Sequence, residues 1–280
     1  MKLLRYKEGD LVHPGILDNE NKVRNASSLV KDWNNLTISV KNLETIKKSD
    51  LTLLPIVNNN ISLAPCVDGV GKFICVGLNY SDHAAETGME VPKEPIIFMK
   101  ATSAICGAND DIIIPKKSVK SDWEVELGVI IGKESKYIDE NQSQNHIAGY
   151  CVVNDLSERE FQFDHMGQWV KGKSCDTFGP IGPYLVTKDE IPNPQNLKMW
   201  LDVNDKRMQQ GSTATMVYGV NFLISYLSQF MSLQPGDVIS TGTPPGVGMG
   251  QKPPLFLKHG DKMKLGIEGL GEQKQNVISN

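Results

Sequence analysis

The chain has 280 residues, 40% of them hydrophobic, with 29 basic and 33 acidic side chains and a formal net charge of −4. That length suits one large domain or two unequal ones, and the charge balance leaves no basic footprint for nucleic acid. No apolar run approaches the roughly 20 residues of a membrane span, the N-terminus lacks the apolar core of a signal peptide, and five cysteines without C-x-x-C spacing read as reduced thiols of a cytoplasmic protein.

Residues 1 to 65 read as a small β-rich domain, with 66 to 280 as the main one. Leu11-Val12 and Ile16-Leu17 precede a turn cluster, Asp18-Asn19-Glu20-Asn21, and Pro55 and Pro65 punctuate the exit. Residues 71–77 form a short apolar strand, followed by Leu78-Asn79-Tyr80-Ser81-Asp82-His83-Ala84-Ala85-Glu86. On a helix capped by Ser81 or Asp82, His83 and Glu86 share a face. A carboxylate beside an imidazole orients it and favours its charged form, so the pair could draw a proton from water; the plainer alternative is a surface His–Glu pair.

A further strand, 95–100, and the run 112–115 lead to D-W-E-V-E-L-G-V-I-I-G. Glu124 and Glu126 lie two apart and enter an apolar run, so on a strand both leave the same face. A second apolar run, 149–153, ends in Asn154-Asp155 and places a third carboxylate at a strand end. Such close like charges are costly unless a proton or a cation intervenes. Three hard oxygen donors suit Mg²⁺ or Mn²⁺, whereas an isolated E-x-E is more often a solvated face.

Beyond Asp155, Arg159 and Gln162 fall on one face if a helix continues. Lys173 stands in G-K-S-C-D-T-F-G-P, read as a Gly/Ser/Asp loop, where near three carboxylates it would be a cation aimed at an anionic substrate or a developing enolate. Asn204-Asp205 marks a hairpin, and apolar positions from Met216 to Phe230 predict the longest helix over 212–230. Gln234-Pro235-Gly236-Asp237 has type II turn chemistry. T-G-T-P-P-G-V-G after Val238-Ile239-Ser240 is neither a P-loop nor a dinucleotide fingerprint, but its open N–H groups suit a carboxylate. His259-Gly260-Asp261 turns into what reads as the last strand, 264–267.

G-L-N-Y-S-D-H-A-A-E, D-W-E-V-E-L-G-V-I-I-G, V-V-N-D-L-S-E-R-E-F-Q, K-G-K-S-C-D-T-F-G-P and P-G-D-V-I-S-T-G-T-P-P-G-V-G, in that order, closely resemble the fumarylacetoacetate hydrolase family from about residue 70 to 275. The similarity is to bacterial members with a small N-terminal domain, labelled 2,4-dioxo-3-deoxy sugar-acid hydrolases or ureidoglycolate lyases. It implies an α+β, mainly β fold, a mixed β-sandwich roll, and a homodimer. It implies Mg²⁺ or Mn²⁺ on Glu124, Glu126 and Asp155, substrate contacts from Lys173 and Gln162, carboxylate binding at Thr243, and water activation by His83 with Glu86. Arg159 joins Gln162 and Thr243 as an expected substrate contact.

The expected activity is metal-dependent hydrolysis of a C–C bond in a small anionic 2,4-dioxo acid, giving pyruvate and a carboxylic acid, with a 2,4-dioxo-3-deoxy sugar acid as the leading substrate. The same site could serve a 2-oxo acid tautomerase or isomerase, an oxaloacetate decarboxylase or a ureidoglycolate lyase. A metal- or ligand-binding scaffold is the non-enzymatic alternative.

Overall fold

Two strands, Val125–Ile131 and Ile147–Asn154, are buried along their whole length. Runs that apolar need cover on both faces, and the chain provides it with two separate cores. Val125, Leu127, Val129 and Ile131 point into one core, Ile130 into the other, as the period-two geometry of a strand requires. Tyr150 and Val152 likewise oppose Cys151 and Val153.

The computed structural model describes residues 1–58, 61–82 and 92–280. Its main sheet is mixed and eleven-stranded. The path runs Val23–Asn25, Leu11–Leu17, Lys2–Glu8, Gly179–Thr187, Ile147–Asn154, Val125–Ile131, Val238–Ser240, Phe73–Gly77 and Ile96–Lys100, with Ser62–Leu63 and Ile105–Gly107 attached beside it. Phe73–Gly77 pairs parallel with Val238–Ser240 and antiparallel with Ile96–Lys100. A five-stranded sheet, ordered Lys206–Ser212, Lys198–Val203, Lys262–Ile267, Gly271–Ser279 and Ile112–Ile114, contributes Met199, Leu201 and Leu265 to the first core. This is the mainly β, mixed-sheet architecture expected.

The N-terminal stretch continues the main sheet: Lys2 pairs with Val186 and Leu3 with Leu185. Its Trp33, Ile38, Leu43 and Ile46 cover the second face. Leu43 and Ile46 lie on a helix, Val40–Ile46, that Ser39 caps by accepting the Asn42 N–H.

The helix expected over 212–230 is confined to Val220–Ser228, the longest among the described residues; Lys206–Ser212 is a strand. Gly219 enters that helix, and the residues before it form a short 3-10 turn. The buried stripe Val220, Leu223, Ile224 and Leu227 is the part of the apolar spacing that packs. The strand Lys262–Ile267 is not the last, because Gly271–Ser279 returns against it. The hairpin at Asn204-Asp205 has both residues at positive φ, 50° and 63°, and Gly236 has φ 89° in its type II turn. Among the described residues no helix is long and apolar enough to cross a membrane.

Candidate active site

The antiparallel register Val125↔Asn154 aligns the ends of the two central strands. The Asp155 N–H then donates to the Glu124 carbonyl at 2.9 Å, which fixes the third carboxylate beside the first two. Glu124, Glu126 and Asp155 are all buried, and each offers an oxygen within 4.8 Å of the others.

Three buried cations meet this cluster. Lys173 donates to Glu124 Oε2 at 2.6 Å and to Asp155 Oδ2 at 2.8 Å. Lys100 donates to Asp155 Oδ1 and, at 2.8 Å, to the Leu156 carbonyl. Arg159 reaches Glu124 Oε1 at 2.7 Å through Nη2, Asp122 Oδ2 at 2.8 Å through Nε, and Gln162 Oε1 at 3.0 Å through Nη1. Burial alone would raise the Glu124 carboxyl; the Lys173 ammonium and the Arg159 guanidinium outweigh it and hold the group well below the usual carboxylate range. Burial would lower the Lys173 ammonium, but Asp155 and Glu124 raise it on balance, so it stays charged.

Glu126 differs. Its Oε2 accepts from Ser240 Oγ at 2.5 Å and from the Gly242 N–H at 2.8 Å, both neutral donors. Burial first, then the charges of Asp155 and Glu124, push its carboxyl well above the ordinary value. Four carboxylates (Asp122, Glu124, Glu126, Asp155) against three cations leave one negative charge uncompensated among the described residues, and Glu126 is the carboxylate with no ion pair there.

The Gly-rich stretch after Ser240 does cradle carboxylates, but they are the protein's own. Gly242 serves Glu126, while Gly248 and Met249 donate N–H groups to Asp122 at 2.6 and 2.9 Å. Thr243 lines the pocket, and its hydroxyl is committed: it donates to the Val125 carbonyl at 2.9 Å and accepts from Gln209 Nε2 at 2.8 Å.

Arg159 and Gln162 share the short helix Arg159–Phe163, both buried, as their spacing predicts. Lys173 is not in a loop; it ends a second short helix, Val170–Lys173. The two helices pack closely because Gly172 has no side chain: a Cβ there would lie 2.3 Å from the Glu158 carbonyl and 2.6 Å from the Gln162 nitrogen. His83 and Glu86 lie outside the described residues. The buried Asn79 just before them is anchored, its Nδ2 donating to the carbonyls of Tyr218 at 3.0 Å and Thr241 at 2.8 Å.

Sequence reasoning missed Lys100, Asp122 and Ser240. The available signal for Lys100 was a lysine closing an otherwise apolar strand. Such a side chain, once buried, requires a charged partner.

The family model described as fumarylacetoacetate (FAA) hydrolase C-terminal matches residues 72–278. The chain belongs to the fumarylacetoacetate hydrolase family. A protein from Burkholderia lata, provisionally named a hydrolase, is 57% identical over 278 residues, 99% of this chain and 99% of its own. The solved fumarylacetoacetate hydrolase of Exiguobacterium antarcticum matches with a TM-score of 0.91 at 32% identity, covering 100% of both chains. Maleylpyruvate hydrolase from Sphingobium sp. SYK-6, solved in complex with manganese(II) ion and pyruvate, matches with a TM-score of 0.82 at 26% identity, again over 100% of both chains.

A divalent cation fits this family member's site on its own chemistry. The donors are hard oxygens from three buried carboxylates, and Glu126, raised by burial and by Asp155 and Glu124, has no ion pair among the described residues, so a cation beside it would favour its ionised form.

Proposed function

We propose that the protein hydrolyses the C–C bond of a small 2,4-dioxo acid of the acylpyruvate type, giving pyruvate and a carboxylic acid, with Mg²⁺ or Mn²⁺ held by Glu124, Glu126 and Asp155. The observation that carries this reading is the convergence of those carboxylates on the Lys173 ammonium, beside a pocket that Glu124, Glu126 and Lys173 line together with Gln162 and Thr243. The Sphingobium relative, whose structure holds manganese(II) and pyruvate, supports it.

When bound, the cation supplies Lewis-acid polarisation of the substrate's 2-oxo group. Lys173, held charged by two carboxylates, stabilises the negative charge that moves onto the departing three-carbon fragment. Arg159 fixes Glu124 and Gln162 in place for substrate binding. The assignment from sequence gives proton transfer from water to His83, with Glu86 orienting it. The water oxygen bonds to C4, the C3–C4 bond breaks, and C3 takes a proton to become the methyl group of pyruvate. A homodimer in the cytoplasm belongs to the same proposal.

The test is pyruvate release from acetylpyruvate with Mg²⁺, with Mn²⁺ and with EDTA. Equimolar pyruvate and acetate, abolished by EDTA, is the expected result. Pyruvate and CO₂ from oxaloacetate alone would make the protein a decarboxylase, and a shifted keto–enol ratio without pyruvate a tautomerase. Glyoxylate from ureidoglycolate would make it a lyase. Silence with all of these would revive the scaffold reading.

A further inference from the structure

We infer that the substrate's acyl tail is apolar, a branched alkyl or aromatic group, and that Trp169, Phe98 and Phe163 form its seat. The inference rests on the proposed hydrolysis and names the substrate class within it.

The pocket is lined by two unlike sets of side chains. Glu124, Glu126, Lys173, Arg159 and Gln162 are charged or polar; Leu78, Phe98, Phe163 and Trp169 are apolar or aromatic. The join is Phe98, whose ring has the Lys173 ammonium 5.0 Å from its centroid on one side and contacts Trp169 edge-on, centroids 5.2 Å apart. Phe163 meets the same indole edge-on at 5.8 Å. These are the edge-to-face geometries that aromatic rings prefer. An aromatic wall therefore begins where the charged head site ends.

The backbone makes room for that wall. A Cβ on Gly77 would lie 2.7 Å from Trp169 Cζ3 and 3.1 Å from Cη2, so the indole can rest on the strand end only because residue 77 is bare. Leu78, next in the chain, sits at φ 53°, a conformation costly for a side chain of that size. Such outliers concentrate at ligand sites, and this one places an apolar residue in the pocket lining.

Electrostatics argues the same way. Both cations lining the pocket are engaged: Lys173 on Glu124 and Asp155, Arg159 on Asp122 and Glu124. A second carboxylate on the tail would lose its hydration with no cation offered to it among the described lining residues. A polyhydroxy tail fares little better. Leu78, Phe98, Phe163 and Trp169 carry a single polar side-chain atom among them, the indole nitrogen. The lining therefore speaks against the sugar-acid tail expected from sequence and for one that gains by leaving water.

The experiment measures kcat/KM on Mn²⁺-loaded protein for acylpyruvates that share the pyruvate half and differ in the acyl group: acetyl, isovaleryl, phenylacetyl, succinyl and a polyhydroxyacyl. The isovaleryl and phenylacetyl substrates should exceed acetylpyruvate by about ten- to two-hundredfold, the span open to an apolar pocket. Pyruvate released fastest from the succinyl or polyhydroxyacyl substrate would overturn the inference and leave the hydrolase reading standing.

No turnover of any substrate would strike the hydrolase reading, and calorimetry would then decide the tail on its own. Phenylpyruvate binding the Mn²⁺-loaded protein more tightly than 2-oxoglutarate supports an apolar seat, and the reverse order overturns it. Trp169→Ala should lower the phenylacetyl-to-acetyl ratio of kcat/KM about tenfold. Phe163→Ala serves if that variant fails to fold, and a ratio unchanged in the soluble variant overturns the seat.

Discussion

Arg159 and Asp122 form a buried ion pair: Arg159 Nε donates to Asp122 Oδ2 at 2.8 Å, and the same carboxylate takes the N–H groups of Trp123, Gly248 and Met249. Asp122 thus ties the helix that carries Arg159 and Gln162 to the loop that carries Thr243. Asp122→Asn removes one of the two carboxylates that face the guanidinium, Glu124 remaining at 2.7 Å, and turns one oxygen that accepts backbone N–H groups into an amide NH2. A buried donor left without its acceptor costs about 1 to 3 kcal/mol. Urea unfolding should show a loss of that order, with reduced pyruvate release. Stability within about 0.5 kcal/mol of the unaltered protein would show that the tie is dispensable.

Gly172→Ala tests whether the approach of two short helices places Lys173. The obstruction to a Cβ there is backbone, the Glu158 carbonyl and the Gln162 nitrogen, which cannot swing aside as a side chain can. Overpacking of this kind costs about 1 to 3 kcal/mol. Turnover should fall further than stability, because the Lys173 ammonium must shift from Glu124 and Asp155. A Gly172→Ala protein with full kcat would show that the ammonium's position tolerates that shift.

What was legible in the sequence was chemistry carried within one element. Glu124 and Glu126 could be placed by the period of a strand, and Arg159 and Gln162 by the period of a helix, because each pair shares a local geometry. Lys100 could not. Its partner Asp155 is 55 residues away, and Val125–Ile131, Val238–Ser240 and Phe73–Gly77 all lie between their strands in the sheet order, so no local pattern announces the contact. The T-G-T-P loop shows the same limit from the other side. The N–H groups of this stretch suit a carboxylate on sequence grounds, but the carboxylates they meet are Glu126 and Asp122, on two strands more than a hundred residues earlier. The sequence shows β-rich patterning over residues 1 to 65, but not that its first strand pairs with Gly179–Thr187.

Asp189 predicts an acid-sensitive link between the N-terminal helix and the main sheet. Burial would raise its carboxyl, but the hydrogen bonds from Lys47 and Thr187 lower it to about 2. A folded value below the unfolded one, about 3.9, contributes stability above the unfolded value that is lost as pH falls towards 2. Asp189→Asn should therefore be less stable than the unaltered protein at pH 6, and the gap should close between about pH 4 and pH 2. Urea midpoints across that range check it; a gap independent of pH would mean that the Lys47 pairing contributes nothing. The side chain is over a third exposed, so the gap at pH 6 should be modest.

Glu126→Gln should change sign with metal. In the metal-free protein, Glu126 has no cation of its own among the described residues, and its carboxyl is raised by burial and by Asp155 and Glu124. A carboxyl raised in the folded state favours the protonated form there, so its ionisation above the ordinary carboxylate range works against folding. Glutamine removes that charge and can still accept from Ser240 and Gly242, so the metal-free variant should melt as high as the unaltered protein or higher. With Mn²⁺ the order should reverse. Ligand binding to the folded state alone adds about 2.7 kcal/mol at a hundredfold excess over Kd, and the variant, one anionic donor short, should gain much less. Melting curves in EDTA and in excess Mn²⁺ give all four values. An equal Mn²⁺ gain in both proteins would remove Glu126 from the metal set, and a variant that melts lower in EDTA would show that its charge is compensated in the folded chain.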